Sequence, residues 1–132
     1  MRIRGCLALT LFALTFAPAC RKPLLPEHAS AGRDAVAGQR IFERKCASCH
    51  NQNGDGRTIV AGHFPYANLL DGNWRADGSA ASIESQIRLG HDPMPKFEGK
   101  LTEEEIRQTV AYVEALTRKA RRDEAAGGRV AP

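Results

Sequence analysis

The pentapeptide Cys46-Ala47-Ser48-Cys49-His50 constrains this chain more than any other stretch. Two thiols three residues apart at the end of a helix can each add to a vinyl group of one porphyrin. The adjoining histidine then points its ring at the iron, and the spacing is that of covalent c-type haem attachment. Other uses of the same residues fit less well. Structural zinc needs a second ligand pair, and the remaining cysteines, Cys6 and Cys20, lie in or beside an N-terminal signal. A thioredoxin-like redox pair expects a strand-helix-strand setting, and no strand pattern is visible. A Cys46–Cys49 disulfide is strained as a purely structural device.

A covalently held cofactor also answers a question that size and composition raise. Of the 132 residues, the first nineteen read as an export signal, which leaves 113, one domain's worth. Such a chain buries roughly two-thirds of the surface its unfolded form exposes. It is too short for a two-domain enzyme with a cleft. Hydrophobic residues at 42% and charged ones at 26% are ordinary for a globular protein, but aromatics at 6% leave an all-protein core thin. The net charge of +4 falls to +2 once Arg2 and Arg4 leave with the signal. The other basic residues are scattered, except for Arg118, Lys119, Arg121 and Arg122, at the far end of one helical stretch from Glu103, Glu104 and Glu105. Nucleic-acid binders concentrate basic charge on a face, usually with aromatics; composition excludes that class here.

Arg2 and Arg4 form a positive n-region, and Leu7–Ala17 is an apolar run that suits a signal and is too short to span a bilayer as a helix. It ends in Ala17-Pro18-Ala19, a small-x-small cleavage pattern, followed at once by Cys20. Two readings stay open. One is ordinary cleavage, giving a soluble periplasmic protein. The other is that Phe16-Ala17-Pro18-Ala19-Cys20 resembles a bacterial lipobox, with Cys20 acylated and the protein tethered to a membrane on the periplasmic side. A free thiol in an oxidising compartment is a liability, which favours acylation; Ala17 and Pro18 are unusual at their lipobox positions.

The mature chain reads as all-α. Residues 20–33 form a flexible tether with Pro23 and Pro26, residues 34–117 the folded domain, and residues 118–132 a basic, disordered tail. The first helix is predicted to open near Asp34 as N-cap and to run to about Cys46. A long Gly- and Asn-rich loop from Asn51 to Asp77 follows, with a turn of helix around Ala67–Leu70; a loop of that length needs a reason, such as wrapping a ligand. Ser79–Leu89 forms the next helix, with Gly90 as its stop. Thr102-Glu103-Glu104-Glu105 is a capping box, and Leu101 with Ile106 is the hydrophobic staple around it. Ile106, Thr109, Val110, Val113 and Leu116 make the buried stripe of that last helix.

With these residues in place, the chain resembles the class I cytochromes c, small bacterial monohaem members in particular, over about Asp34 to Leu116. Gly38-x-x-x-Phe42 is similar to the family's first helix and Tyr112 to the aromatic position of its last. The resemblance implies that these helices cross closely, so that a Gly is kept mid-helix despite costing about 1 kcal/mol. Met94-Pro95-Lys96-Phe97 resembles the methionine-ligand loop. Met94 is the only thioether left after Met1 is removed, and it stands between Pro93 and Pro95, away from any apolar stripe. His63 and His91 are its rivals for the sixth iron position. The resemblance also implies a backbone carbonyl orienting His50, with Pro65 the nearest match, and Trp74 either hydrogen-bonding a haem propionate or simply packing.

The expected protein is therefore a cytochrome c-like fold, helices and long loops wrapped around one haem c. Cys46 and Cys49 attach it, and His50 and Met94 are the axial ligands. With both axial positions filled, electron transfer to transient redox partners remains, and Lys45, Lys96 and Lys100 are candidate rim charges. The alternatives are an electron-transfer subunit or haem sensor of a larger complex and, less well supported, a small haem peroxidase, which needs an open iron position. No enzyme activity is expected.

Overall fold

A computed structural model describes residues 27–127. The signal, Cys20 and the first part of the tether lie outside the described residues, as do the last five of the tail. Among the described residues four helices follow one another: α1 Glu27–Lys45, α2 Ala47–His50, α3 Ala80–Leu89 and α4 Glu103–Ala125. Among the described residues there are only two isolated bridges and no strand.

Helix α1 begins seven residues earlier than the sequence suggests, within the expected tether. Asp34 is not its cap. The Asp34 carboxylate instead accepts from Arg107 Nη1 at 2.7 Å, tying α1 to α4. At the far end α4 runs through the expected tail as far as Ala125, with Thr117 and Ala120 buried and Lys119 paired to Asp123 one turn on. Leu116 is only half-buried, and Thr117 takes its place in the stripe.

The capping box forms as read: Thr102 Oγ1 accepts from the Glu105 N–H, and the Glu105 carboxylate accepts from the Thr102 N–H. Leu101 and Ile106 are both buried beside it. Helices α1 and α4 cross at Gly38. A Cβ there would lie 1.9 Å from the Gln108 carbonyl oxygen and 2.9 Å from Tyr112 Cβ, so only glycine lets the backbones meet. One turn on, Phe42 packs on Tyr112 with ring centroids 5.2 Å apart. The core, from Ile41 and Phe42 through Ile83, Ile87 and Phe97 to Ile106, Val110 and Val113, joins α1, α3 and α4.

The turn of helix expected at Ala67–Leu70 does not form. Its backbone amides are spoken for elsewhere: Leu69 N–H donates to Gly54 at 2.8 Å and Leu70 N–H to the Asn68 side chain at 2.8 Å. The loop is pinned instead through Asp55, which accepts from Asn51, Asn53 and the Arg57 N–H.

Candidate haem site

Helix α1 delivers the cysteines. Cys46 N–H still donates to Phe42 at 2.8 Å, the last bond of that helical run, and His50 N–H donates to the Cys46 carbonyl at 3.0 Å across α2. Both thiols are free. Burial, aided by the neighbouring Cys49, pushes the Cys46 thiol up to about 11.

His50 is oriented from the long loop. Its Nδ1 donates to the Ala67 carbonyl oxygen at 2.8 Å. A carbonyl can only accept, so the proton sits on Nδ1 and Nε2 carries the lone pair, the tautomer a metal ligand needs. Burial lowers the His50 pKa, the Ala67 bond pulling the other way, and the ring is held neutral. The carbonyl belongs to Ala67 and not to Pro65, two residues earlier. Pro65 lines the same cavity and is exposed.

Met94 is placed by α3. Gly90 ends that helix with φ 67°, and a Cβ on it would stand 2.6 Å from the Met94 carbonyl oxygen and 2.5 Å from Lys96 N. His91 N–H donates back to the Met94 carbonyl at 2.9 Å, while Phe97 N–H donates to Ile87 at 3.0 Å and Glu98 N–H to Arg88 at 3.1 Å. The methionine loop is thereby laced to the end of α3 at both of its own ends.

Cys46, Cys49, His50 and Met94 all line one cavity of about 260 Å³, walled by Phe42, Ile83, Ile87 and Phe97 among others. The rivals fare differently. His63 is exposed and off the cavity wall. His91 is on the wall, but its Nε2 meets the Arg75 guanidinium and its Nδ1 faces the Asp92 carbonyl. Trp74 also lines the cavity and packs against the core. The donor set suits a covalently held haem: two thiols, one neutral imidazole with a free Nε2, and one thioether, on mostly apolar walls. It does not suit a bare metal ion, since no group of three or more His, Cys, Asp or Glu gathers among the described residues.

Residues the sequence reading passed over also shape the site. Ala67 acts through its backbone, so its identity carried no signal. Tyr66 takes φ 68°, a region a bulky residue rarely enters, and its ring faces the Arg75 guanidinium at 5.7 Å. The one available hint was the run of loop glycines at 54 and 56.

Residues 33–113 match the family model described as cytochrome c oxidase, cbb3-type, subunit III. The chain is 36% identical to cytochrome c6 of Euglena viridis over 77 residues, 58% of this chain and 86% of that protein. It is 32% identical to cytochrome c6 of Thermosynechococcus vestitus over 87 residues, 64% of this chain and 72% of that one. It is 37% identical to the cbb3-type cytochrome c oxidase subunit CcoP of Rhodobacter capsulatus over 90 residues, 62% of this chain and 29% of that subunit. The chain thus spans most of the cytochromes c6 and under a third of CcoP. No solved structure matches.

Proposed function

The chain belongs to the cytochrome c family, and from that premise we propose that it carries one electron at a time through a single haem c bound by its own four residues. When bound, the haem supplies a reversible one-electron couple. Cys46 and Cys49 would hold it by thioether bonds, and His50 Nε2 and the Met94 sulfur would ligate its iron. The observation that carries this reading is the meeting of all four side chains on one cavity, with His50 already fixed in the metal-binding tautomer by Ala67.

The ligand pair sets the chemistry. A neutral, soft thioether favours the ferrous state and raises the potential, within a range of about 0.8 V that axial choice opens across haem proteins. Filling both faces leaves no place for a substrate on the iron, so the protein is a carrier and no peroxidase. Its partners are redox proteins that dock briefly on small patches. Acylation of Cys20 would tether it to the periplasmic side of the envelope, and none of the described helices is long and apolar enough to cross a membrane.

A second reading has its own support: the match to an oxidase-subunit family and to CcoP favours a permanent place in a larger complex, as its electron-entry subunit. Gel filtration of detergent-extracted protein separates the two by size. The primary reading is tested by optical spectra of the purified protein. A c-type pyridine haemochrome, a weak far-red band from sulfur ligation and poor carbon monoxide binding when reduced are expected. A high-spin spectrum with ready carbon monoxide binding overturns it.

A further inference from the structure

We propose that Gly56 is a positioning residue for the His50 imidazole: its missing side chain lets the Ala67 peptide close onto Nδ1. The inference rests on His50 being the iron ligand proposed above.

Gly56 is clasped between the two partners of that bond. Its own N–H donates to the His50 carbonyl at 3.0 Å, and its backbone takes φ 69°. A Cβ on it would stand 2.6 Å from Asn68 N, 2.7 Å from Ala67 C and 2.9 Å from Ala67 O. All three are backbone atoms, so no rotamer relieves the overlap. The oxygen in its path is the one that accepts from His50. Nor can the loop slide aside, because Gly54 accepts from the Leu69 N–H at 2.8 Å and Thr58 Oγ1 donates to the Cys49 carbonyl at 3.3 Å. Any side chain at position 56 must therefore push the Ala67 carbonyl off the ring.

The consequence is electronic as well as structural. Donation from Nδ1 to a carbonyl raises the basicity of the ligating nitrogen, and such outer partners are worth 10- to 100-fold in ligation. A more basic imidazole favours ferric iron. Weakening the bond therefore favours ferrous iron and raises the potential.

The protein supplies its own control for backbone strain. Gly72 takes φ 73°, close to that of Gly56, yet a Cβ on it would meet nothing within 4 Å. The test compares exported full-length wild type, Gly56→Ala and Gly72→Ala. Covalent haem is read first, by intact mass; wild type without it defeats the ligand assignment and the proposal that rests on it, whereas haem-loaded wild type leaves the role of Gly56 alone to be decided by the potentials. In haem-loaded proteins, Gly56→Ala is expected to shift the ferric/ferrous equilibrium by about tenfold, about 59 mV upward for one electron, with Gly72→Ala at the wild-type potential. Equal potentials for Gly56→Ala and wild type, or equal shifts in both variants, overturn the proposal. Should Gly56→Ala fail to accumulate, Gly56→Asn replaces it, since Asn tolerates positive φ but keeps the Cβ, and the same shift is expected. One arm needs no variant. In reduced wild type the His50 ring N–H should exchange with solvent roughly a hundredfold more slowly than free imidazole, since its release requires the loop to open. Exchange at the free rate overturns the proposal.

Discussion

His50 donates its Nδ1 proton to the Ala67 carbonyl seventeen residues further along the chain, at 2.8 Å. The imidazole is thus oriented by protein that has no part in the Met94 loop, and the two axial positions can be perturbed separately. Met94→Ala should leave haem attached and His50 bound while opening the other face. The reduced variant should then bind carbon monoxide, which wild type should bind poorly. Met94→His should lower the potential markedly, because imidazole favours ferric iron more than thioether does. An unchanged potential would show that Met94 never touches the iron.

The crossing of α1 and α4 can be tested at Gly38. Ala normally improves a helix by about 1 kcal/mol over Gly, but here its Cβ would lie 1.9 Å from Gln108 O. Overpacking of this kind costs about 1–3 kcal/mol. Gly38→Ala should therefore lower Tm, by roughly 4–8 °C for each kcal/mol in a domain of this size. A raised Tm would place the helices further apart than the structure has them.

Tyr66 offers an inverted comparison. Its φ of 68° costs a non-glycine residue about 1–2 kcal/mol, partly offset by the Arg75 contact, worth about 0.5–1 kcal/mol at an exposed site. Tyr66→Ala removes the ring and keeps the strain, whereas Tyr66→Gly removes both. Thermal melts should rank Gly above Ala at this position, the reverse of the usual order.

Stability should fall in acid, and the direction follows from three carboxylates at the start of α4. Arg88 holds Glu103 below the usual carboxylate range, Arg107 does so for Glu104, and the Thr102 N–H does so for Glu105. Each unfolded carboxyl takes up its proton at higher pH than the folded one. Their stabilisation is complete above about pH 4.3, the ordinary glutamate value, and is lost as pH falls through the lower folded values. Tm should decline below about pH 4.3, and less steeply in Glu105→Gln, which keeps a capping side chain. A Tm that rises on acidification would contradict this.

How much of this was legible depended on where each interaction's signal resides. The capping box, the Gly90 stop and the Cys46–His50 spacing are written in side-chain identities at fixed local offsets, and the structure bears out the helix features among them. The Gly38 crossing, which the structure also shows, was implied by the family resemblance and not by any local pattern. The start of α1 was misplaced because Asp34 looks like a cap locally, while its partner, Arg107, stands 73 residues away. The carbonyl that holds His50 was misplaced by two residues because a backbone acceptor leaves no mark on the residue that bears it. The same holds for the Ala67–Leu70 turn, whose amides are taken by Gly54 and by Asn68. Local chemistry could be read; pairings that only the folded loop creates could not.

The attachment of the porphyrin to the chain is tested most directly by intact mass spectrometry of exported full-length protein, before and after treatment with a thiol-alkylating reagent under denaturing conditions. The mass should exceed that of the processed polypeptide, any acyl groups on Cys20 included, by one haem, with Cys46 and Cys49 unmodified by the reagent. A mass equal to the bare polypeptide, with both cysteines alkylated, would contradict it.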